Sequence, residues 1–466
     1  MILWAGIVDA LHQKGRFYLG VPHITQQLYS QNRPQHLTVA SVFVLLAVRL
    51  FLLVDRYSVN IFFGDQWEFN EATLFQQHSW LEIFRWQHGP HRQGLGGILS
   101  KRFEPLIQWN SCYEAFAMAG VIACACLAAL WLKKRLYGKI EYSDIIIPLL
   151  FLTPVQYDTL IGATNPSHGP LPLLLVVLYC LAWTITNSHC KYATVLVLNV
   201  LLIYTGFGLF MGLVTPLLLG LDFYHHRNRQ ALISLAIALA SMGSFFIGYR
   251  YDPAVECFSP QLTRPLQHYL LFVCFMFSSF IQIYPVQALI PAILTGLGLL
   301  VLVSLTAGNT FLKLLREKDE RLNPLIISAM LGYSLLFCSA TAYGRTCLSV
   351  AAAQASRYTT YLVLAFFGLY LAALSVKVNI ERRAFVCLIL LLALLSSARI
   401  GSEVQRNMST RSQQRLTWKE CYLSAHSIQE CDARSGSFIY WTPEPPDLQS
   451  KLDYLKRSRL NLYSGR

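Results

Sequence analysis

The sequence predicts an all-α polytopic membrane protein, and three observations carry that reading. Of 466 residues, 54% are hydrophobic and only 14% charged; the mean hydropathy is +0.42; and long apolar runs alternate with clusters of Lys and Arg. One soluble core cannot use that much apolar material, which excludes a disordered chain, a fibre and an ordinary cytosolic enzyme. The formal charge of +13 then marks cytoplasmic loops and contacts with anionic head groups, and no nucleic-acid surface is expected.

Cysteine usage agrees. Cys124, Cys126, Cys180, Cys274, Cys338 and Cys387 lie inside apolar runs, where they act as small hydrophobes and imply no disulfide framework. The first 36 residues are polar and carry Lys14, Arg16 and Arg33, so no cleavable signal is expected and segment 1–36 is assigned to the cytoplasm.

A helix needs about 20 apolar residues to cross the hydrocarbon layer, and flanking charges set its direction. Run 37–54 leaves the basic N-terminus, placing the polar stretch 55–110 outside, and run 113–132 returns to Lys133, Lys134, Arg135 and Lys139 as a cytoplasmic anchor. Run 145–160 goes out, 164–169 turns, and 171–186 comes back. Stretch 192–223 is too long for one crossing and is cytoplasmic at both ends, so it goes out and returns, with Gly206, Gly208 and Gly212 at the turn. Run 231–249 exits to an external loop at 251–268.

Parity constrains the next spans. The segment KLLREKDER at 313–321 is cytoplasmic, yet runs 269–284 and 286–305 both separate it from that loop. Only one of them crosses; run 286–305 is assigned the crossing and 269–284 a re-entrant or interfacial helix in the outer leaflet. Run 324–342 goes out, 343–357 is an external loop, 358–376 returns, and 384–398 exits, giving about eleven crossings. The organisation is therefore a transmembrane domain at 37–399 that includes the external loop 55–112, and an external C-terminal tail at 400–466, where Cys421 and Cys431 can pair.

The chemistry gathers in external loops. The first contains Gly64-Asp65-Gln66-Trp67-Glu68, Gln87-His88-Gly89-Pro90-His91-Arg92 and Lys101-Arg102-Phe103-Glu104. Asp65 is close enough to the membrane to take a proton from an acceptor hydroxyl, or it merely caps a helix over 66–75. His88 and His91 read as a metal pair, a proton relay or ordering side chains; Gly89-Pro90 discourages a helix, so shared geometry must come from a turn. Arg92 suits phosphate or a lipid head group. Arg345 and Arg357, the latter followed by Tyr358, border apolar helices, where a guanidinium wants an anionic partner unless it only snorkels. Asn165-Pro166-Ser167-His168-Gly169 and the 206–212 apex face the same side, and His225-His226-Arg227 reads as a solvated anchor. Asp158 is the acidic residue placed inside a span. No nucleotide-binding loop, zinc ribbon or internal repeat is present in the sequence.

The order of these features resembles the GT-C superfamily of integral-membrane glycosyltransferases: one span, a long external loop with an early acidic residue, many further spans, and an external C-terminal portion. More specifically, Gly64-Asp65-Gln66-Trp67, Gln87-His88-Gly89-Pro90-His91-Arg92, Gly344-Arg345 and Ser356-Arg357-Tyr358-Thr359-Thr360 are similar to motifs of a poorly characterised family of bacterial polytopic proteins. In that family the histidine motif usually reads His-Asn-Glu-His-Arg, and Gly89-Pro90 here removes an acidic group.

The resemblance implies transfer of a sugar from a polyprenyl-phosphate donor to a glycan or lipid acceptor at the external face of a bacterial inner membrane. Asp65 would be the base, His88 and His91 would share the catalytic work, and Arg92, Arg345, Arg357 and Tyr358 would bind substrate. No cofactor is assigned, and the histidine pair leaves a divalent metal open. Two rivals share these features: a non-catalytic carrier or flippase for a lipid-linked saccharide, and a surface-polysaccharide polymerase or ligase.

Overall fold

The computed structural model describes residues 33–162, 164–250, 264–317, 321–440 and 447–464. The expectations for the N-terminal segment before residue 33, for loop positions 251–263 and for positions 318–320 lie outside them. Among the described residues, eight helical segments are long and apolar enough to cross a membrane, and four shorter apolar helices accompany them. The protein is an all-α, multi-pass membrane protein; its one described sheet is a two-stranded hairpin.

Helix α1 (Arg33–Tyr57) leads into the first loop, which holds α2 (Gln66–Phe69), α3 (Trp80–Arg85), strands β1 (Gln87–His88) and β2 (His91–Arg92), and α4 (Gly94–Phe103). Helix α5 (Ser111–Tyr137) returns. It starts at Asn110, whose side chain caps the Cys112 and Tyr113 amides, and stops at Gly138 in the left-handed conformation. The next crossing is broken. Helix α6 (Ile146–Phe151) gives way at Thr153-Pro154 to α7 (Tyr157–Ile161), and almost every residue of this segment is buried. Irregular backbone at membrane depth needs such a protein jacket, because lipid cannot satisfy the freed peptide groups.

Helices α8 (Leu171–Ala182), α9 (Ser188–Ile203), α10 (Met211–His226) and α11 (Arg229–Phe245) follow. Residues 192–223 fold as two helices around a 3-10 turn over Gly206–Phe210. Gly206 has φ +49°, and a Cβ there would stand 1.8 Å from the Ser167 carbonyl oxygen, so no other residue fits this apex.

Helix α12 (Leu266–Phe280) is followed by α13 (Leu289–Arg316), α14 (Leu322–Arg345), α15 (Thr359–Leu374) and α16 (Asn379–Ser397). Both ends of α12 lie near the end of the bundle that carries the first loop. Tyr269 stacks on Tyr343 at 6.4 Å, while Gln282, just past its C-terminus, donates to the carbonyls of Leu395, Ser396 and Arg399. From Phe272 to Phe280 every side chain is buried in protein, so this helix lays no apolar face of its own on lipid.

The tail is not a separate small domain. Helices α17 (Ser402–Ala425), α18 (Ile428–Ser435) and α19 (Leu448–Ser458) share one apolar core with the first loop, in which Ile61, Phe62, Trp67 and Leu74 meet Trp418, Tyr422, Leu452 and Leu455. Neither segment has enough apolar residues to close a core alone. Buried Asn461 staples them: its Oδ1 accepts from the Phe62 amide at 3.0 Å, its amide donates to the Gln108 carbonyl at 2.9 Å, and its Nδ2 donates to Trp109 at 2.7 Å. Cys421 and Cys431 form a disulfide within the tail, and Cys347 is also disulfide-bonded.

Two readings of charge need correction. Lys133 does not anchor in solvent: it is 0% exposed and pairs with the equally buried Asp144 at 2.8 Å, whose other oxygen accepts the Tyr370 hydroxyl at 2.6 Å. Lys134, Arg135 and Lys139 remain exposed. Asp158 is also not alone inside the helical segments, since Glu114 lies in the first turn of α5 and Asp222 in α10.

Candidate functional site at the loop end

Asp65 follows Gly64, which has φ +54° and is held by a hydrogen bond from its amide to the Ile439 carbonyl at 2.7 Å. Asp65 sits at the N-cap position of α2, yet its side chain makes no capping hydrogen bond. Helix capping is therefore not what occupies this carboxylate. It acts electrostatically on Arg357 and on Tyr440. The next two residues point inward and fix it: Trp67 is fully buried, and Gln66 Nε2 donates to Glu114 Oε2 and Thr164 Oγ1, each at 2.8 Å.

The histidines stand on the hairpin. Gly89, at φ +52°, and Pro90 make the two-residue turn, so His88 and His91 are paired across the ladder. His88 Nδ1 lies 2.8 Å from Glu68 Oε2, and Glu68 Oε1 accepts the Tyr440 hydroxyl at 2.7 Å. The hydrogen bond from His88 is the largest influence holding the Glu68 carboxyl below its usual range, against desolvation.

His168, from the turn before α8, joins them. Its ring lies 5.1 Å from His91 and 5.7 Å from His88, and Phe69 and Phe207 close the cluster. His91 Nδ1 and His168 Nε2 are buried without a hydrogen-bond partner among the described residues. Burial first, then the Arg345 charge, pushes His91 down to about 3; burial and the neighbouring histidines and arginines push His168 in the same direction. Both rings are neutral at ordinary pH, so they offer an N–H and a lone pair rather than charge. Among the described residues no group of three or more His, Cys, Asp or Glu is placed to hold a metal ion.

The cations come from two directions. Arg345 ends α14 and acts on His91 and His168. Arg357 lies in the 3-10 turn Ser356–Tyr358, with its guanidinium 5.6 Å from the Tyr358 ring, and Asp65 and Asp158 are the carboxylates that act on it. Tyr358 is 2% exposed, a platform under Arg357 rather than an open surface. Ser356 clamps this turn to the broken crossing: its Oγ accepts from the Asp158 amide at 2.9 Å and donates to the Val155 carbonyl at 2.6 Å.

Helix α17 supplies what sequence reasoning missed. Arg411 pairs with Asp158. Arg415, one turn on, is 4% exposed and stacks over Phe63 at 4.1 Å. Its Nη1 donates to the Ile161 and Gly162 carbonyls, while its Nε and Nη2 have no partner among the described residues. The one available signal was the spacing of Arg411 and Arg415, which puts both on one helix face.

Arg92 is placed elsewhere. Its Nε and Nη2 donate to the Phe245 carbonyl at 3.0 and 2.7 Å, Nη2 also reaches Ile247 at 2.9 Å, and Nη1 donates to Arg85. It is 3% exposed and lies between the Tyr204 and Phe245 rings. This guanidinium closes the C-terminus of α11 and does not face the histidine cluster.

No protein-family model matches the chain, and no curated protein matches it.

Proposed function

We propose that the protein is a GT-C-like membrane glycosyltransferase that moves a sugar from a polyprenyl-phosphate donor to a glycan or lipid acceptor. The observation that carries this reading is that Asp65, a half-buried carboxylate that caps no helix, acts electrostatically on Arg357. In this reading a base and a phosphate-binding cation share the loop end of the bundle. Asp65 takes the proton of the acceptor hydroxyl; that oxygen bonds to the anomeric carbon as the carbon–phosphate oxygen bond breaks; and the polyprenyl phosphate leaves with its charge met by Arg357 and Arg345. Neutral His91 and His168, with His88 beside them, orient the sugar through hydrogen bonds.

We also infer about eleven crossings, counting the broken and the shorter helices, with the loop end external in a bacterial inner membrane. The Cys421–Cys431 disulfide and the bonded Cys347, both at the loop end, support an oxidising compartment on that side. The test is turnover of radiolabelled polyprenyl-phosphate sugars by purified protein in detergent. Labelled product supports the enzyme. Donor movement across vesicles without product would select the carrier.

A further inference from the structure

A cleft of about 1030 Å³ opens at the end of the bundle opposite the candidate site, between α13, α14, α15 and the start of α16. Its origin is a mismatch in length. Helix α13 has 28 residues and rises about 42 Å, whereas the α12 helix packed beside it has 15 and rises about 22 Å. Because both ends of α12 stay near the loop end, the distal half of α13 has no such companion. The space beneath is walled by Leu305, Ile327 and Phe385, and rimmed by Asn309, Lys313 and Lys377.

We propose that this cleft binds an anionic phospholipid of the adjoining leaflet. Its lining has two characters. The apolar walls suit acyl chain, and the rim is cationic. Lys313 and Lys377 are exposed and make no ion pair among the described residues. Arg321 adds charge while its Nε and Nη2 donate to the Leu314 carbonyl at 3.3 and 3.2 Å, and Glu317 is the acidic residue of the lining. Among the described lining residues three cations face one carboxylate, and that excess favours a phosphodiester head group over a zwitterionic one. The two exposed lysines reach it as point charges.

The experiment uses the full chain, purified in detergent, stripped of lipid and titrated with phosphatidylglycerol or phosphatidylcholine, with bound lipid read by native mass spectrometry. Phosphatidylglycerol should bind about tenfold more tightly than phosphatidylcholine. Combined Lys313→Gln and Lys377→Gln should remove that preference, whereas Lys134→Gln, an exposed lysine at the same end, should keep it. Asn309→Trp, which fills the cleft, should weaken both lipids. Equal binding of the two lipids, an unchanged preference in the double variant, or competition by millimolar glycerol phosphate would each overturn the proposal, the last by assigning the site to a soluble anion.

Discussion

His88 and Tyr440 share one carboxylate: Glu68 receives His88 Nδ1 at 2.8 Å on one oxygen and the Tyr440 hydroxyl at 2.7 Å on the other. A hairpin residue of the first loop is thereby joined to a residue of the C-terminal tail through the loop's own helix. Tyr440→Phe removes one charge-assisted hydrogen bond and should cost about 1–2 kcal/mol of stability. The decrease should appear in thermal unfolding of the detergent-solubilised protein; an unchanged midpoint would mean that the tail docks without this bond.

Asp65→Asn keeps volume and one hydrogen-bonding oxygen while removing the proton acceptor. The substitution removes no helix-capping hydrogen bond, and sugar transfer should fall about a hundredfold or more. Near-normal turnover in the variant would remove Asp65 as base.

Protonation of His91 opposes the fold. Its folded value is depressed from 6.5 to about 3, first by burial and then by Arg345. The contribution is fully present above about pH 6.5 and is lost as pH falls toward 3, because the unfolded chain takes up a proton that the folded one refuses. Over that window the folding equilibrium should weaken by up to about tenfold per pH unit, with His168 acting in the same sense. His91→Asn should flatten the acid limb of the stability profile. An identical acid limb in variant and parent would place the acid sensitivity elsewhere.

Glu104 has the opposite sign. Burial, and then the nearby Glu114 carboxylate, raises it well above its ordinary value of 4.5, and its Oε1 has no hydrogen-bond partner among the described residues. Its contribution is full below pH 4.5 and is lost as pH rises through the folded value. Glu104→Gln should therefore raise the melting temperature at pH 8 and leave it nearly unchanged at pH 4. Destabilisation at both values would show that the carboxyl is needed as such.

What the sequence made legible is what hydrophobic length and turn chemistry control. The two helices joined by a turn at Gly206 follow from a run too long for one helix and from glycine at its middle. The pairing of His88 with His91 through a turn follows from Gly89-Pro90. Side-chain direction was not legible. Arg92 lies beside two histidines in the chain, yet β2 turns it to the carbonyls that end α11. Lys133 belongs to a basic cluster, and only the return of the chain to Asp144 converts it into a buried pair. The spacing of Arg411 and Arg415 shows a shared helix face, but their partners, Asp158 and the carbonyls that end α7, could not be read from the tail because they lie more than two hundred residues earlier in the chain.

These placements set the control for a test of phosphate recognition. Arg345 and Arg357 each present a planar fork that can meet two phosphate oxygens, whereas lysine presents a point charge on a flexible stem. Arg357→Lys and Arg345→Lys should therefore weaken donor-lipid binding about tenfold or more, a loss of about 1.4 kcal/mol, although formal charge is unchanged. If the two arginines only snorkel to head groups, lysine serves equally well and donor affinity stays where it was. Lys133→Ala cannot serve as the charge control, since deleting one member of a fully buried pair costs about 3–5 kcal/mol and would compromise the fold. Exposed Lys134→Ala is the suitable comparison. Arg92→Lys separates structure from recognition: with its carbonyl contacts at Phe245, Ile247 and Arg85 lost, it should lower the melting temperature while leaving donor affinity close to that of the parent. A drop in donor affinity for Arg92→Lys, with none for Arg345→Lys or Arg357→Lys, would move the phosphate site away from the Asp65 cluster and to the hairpin edge.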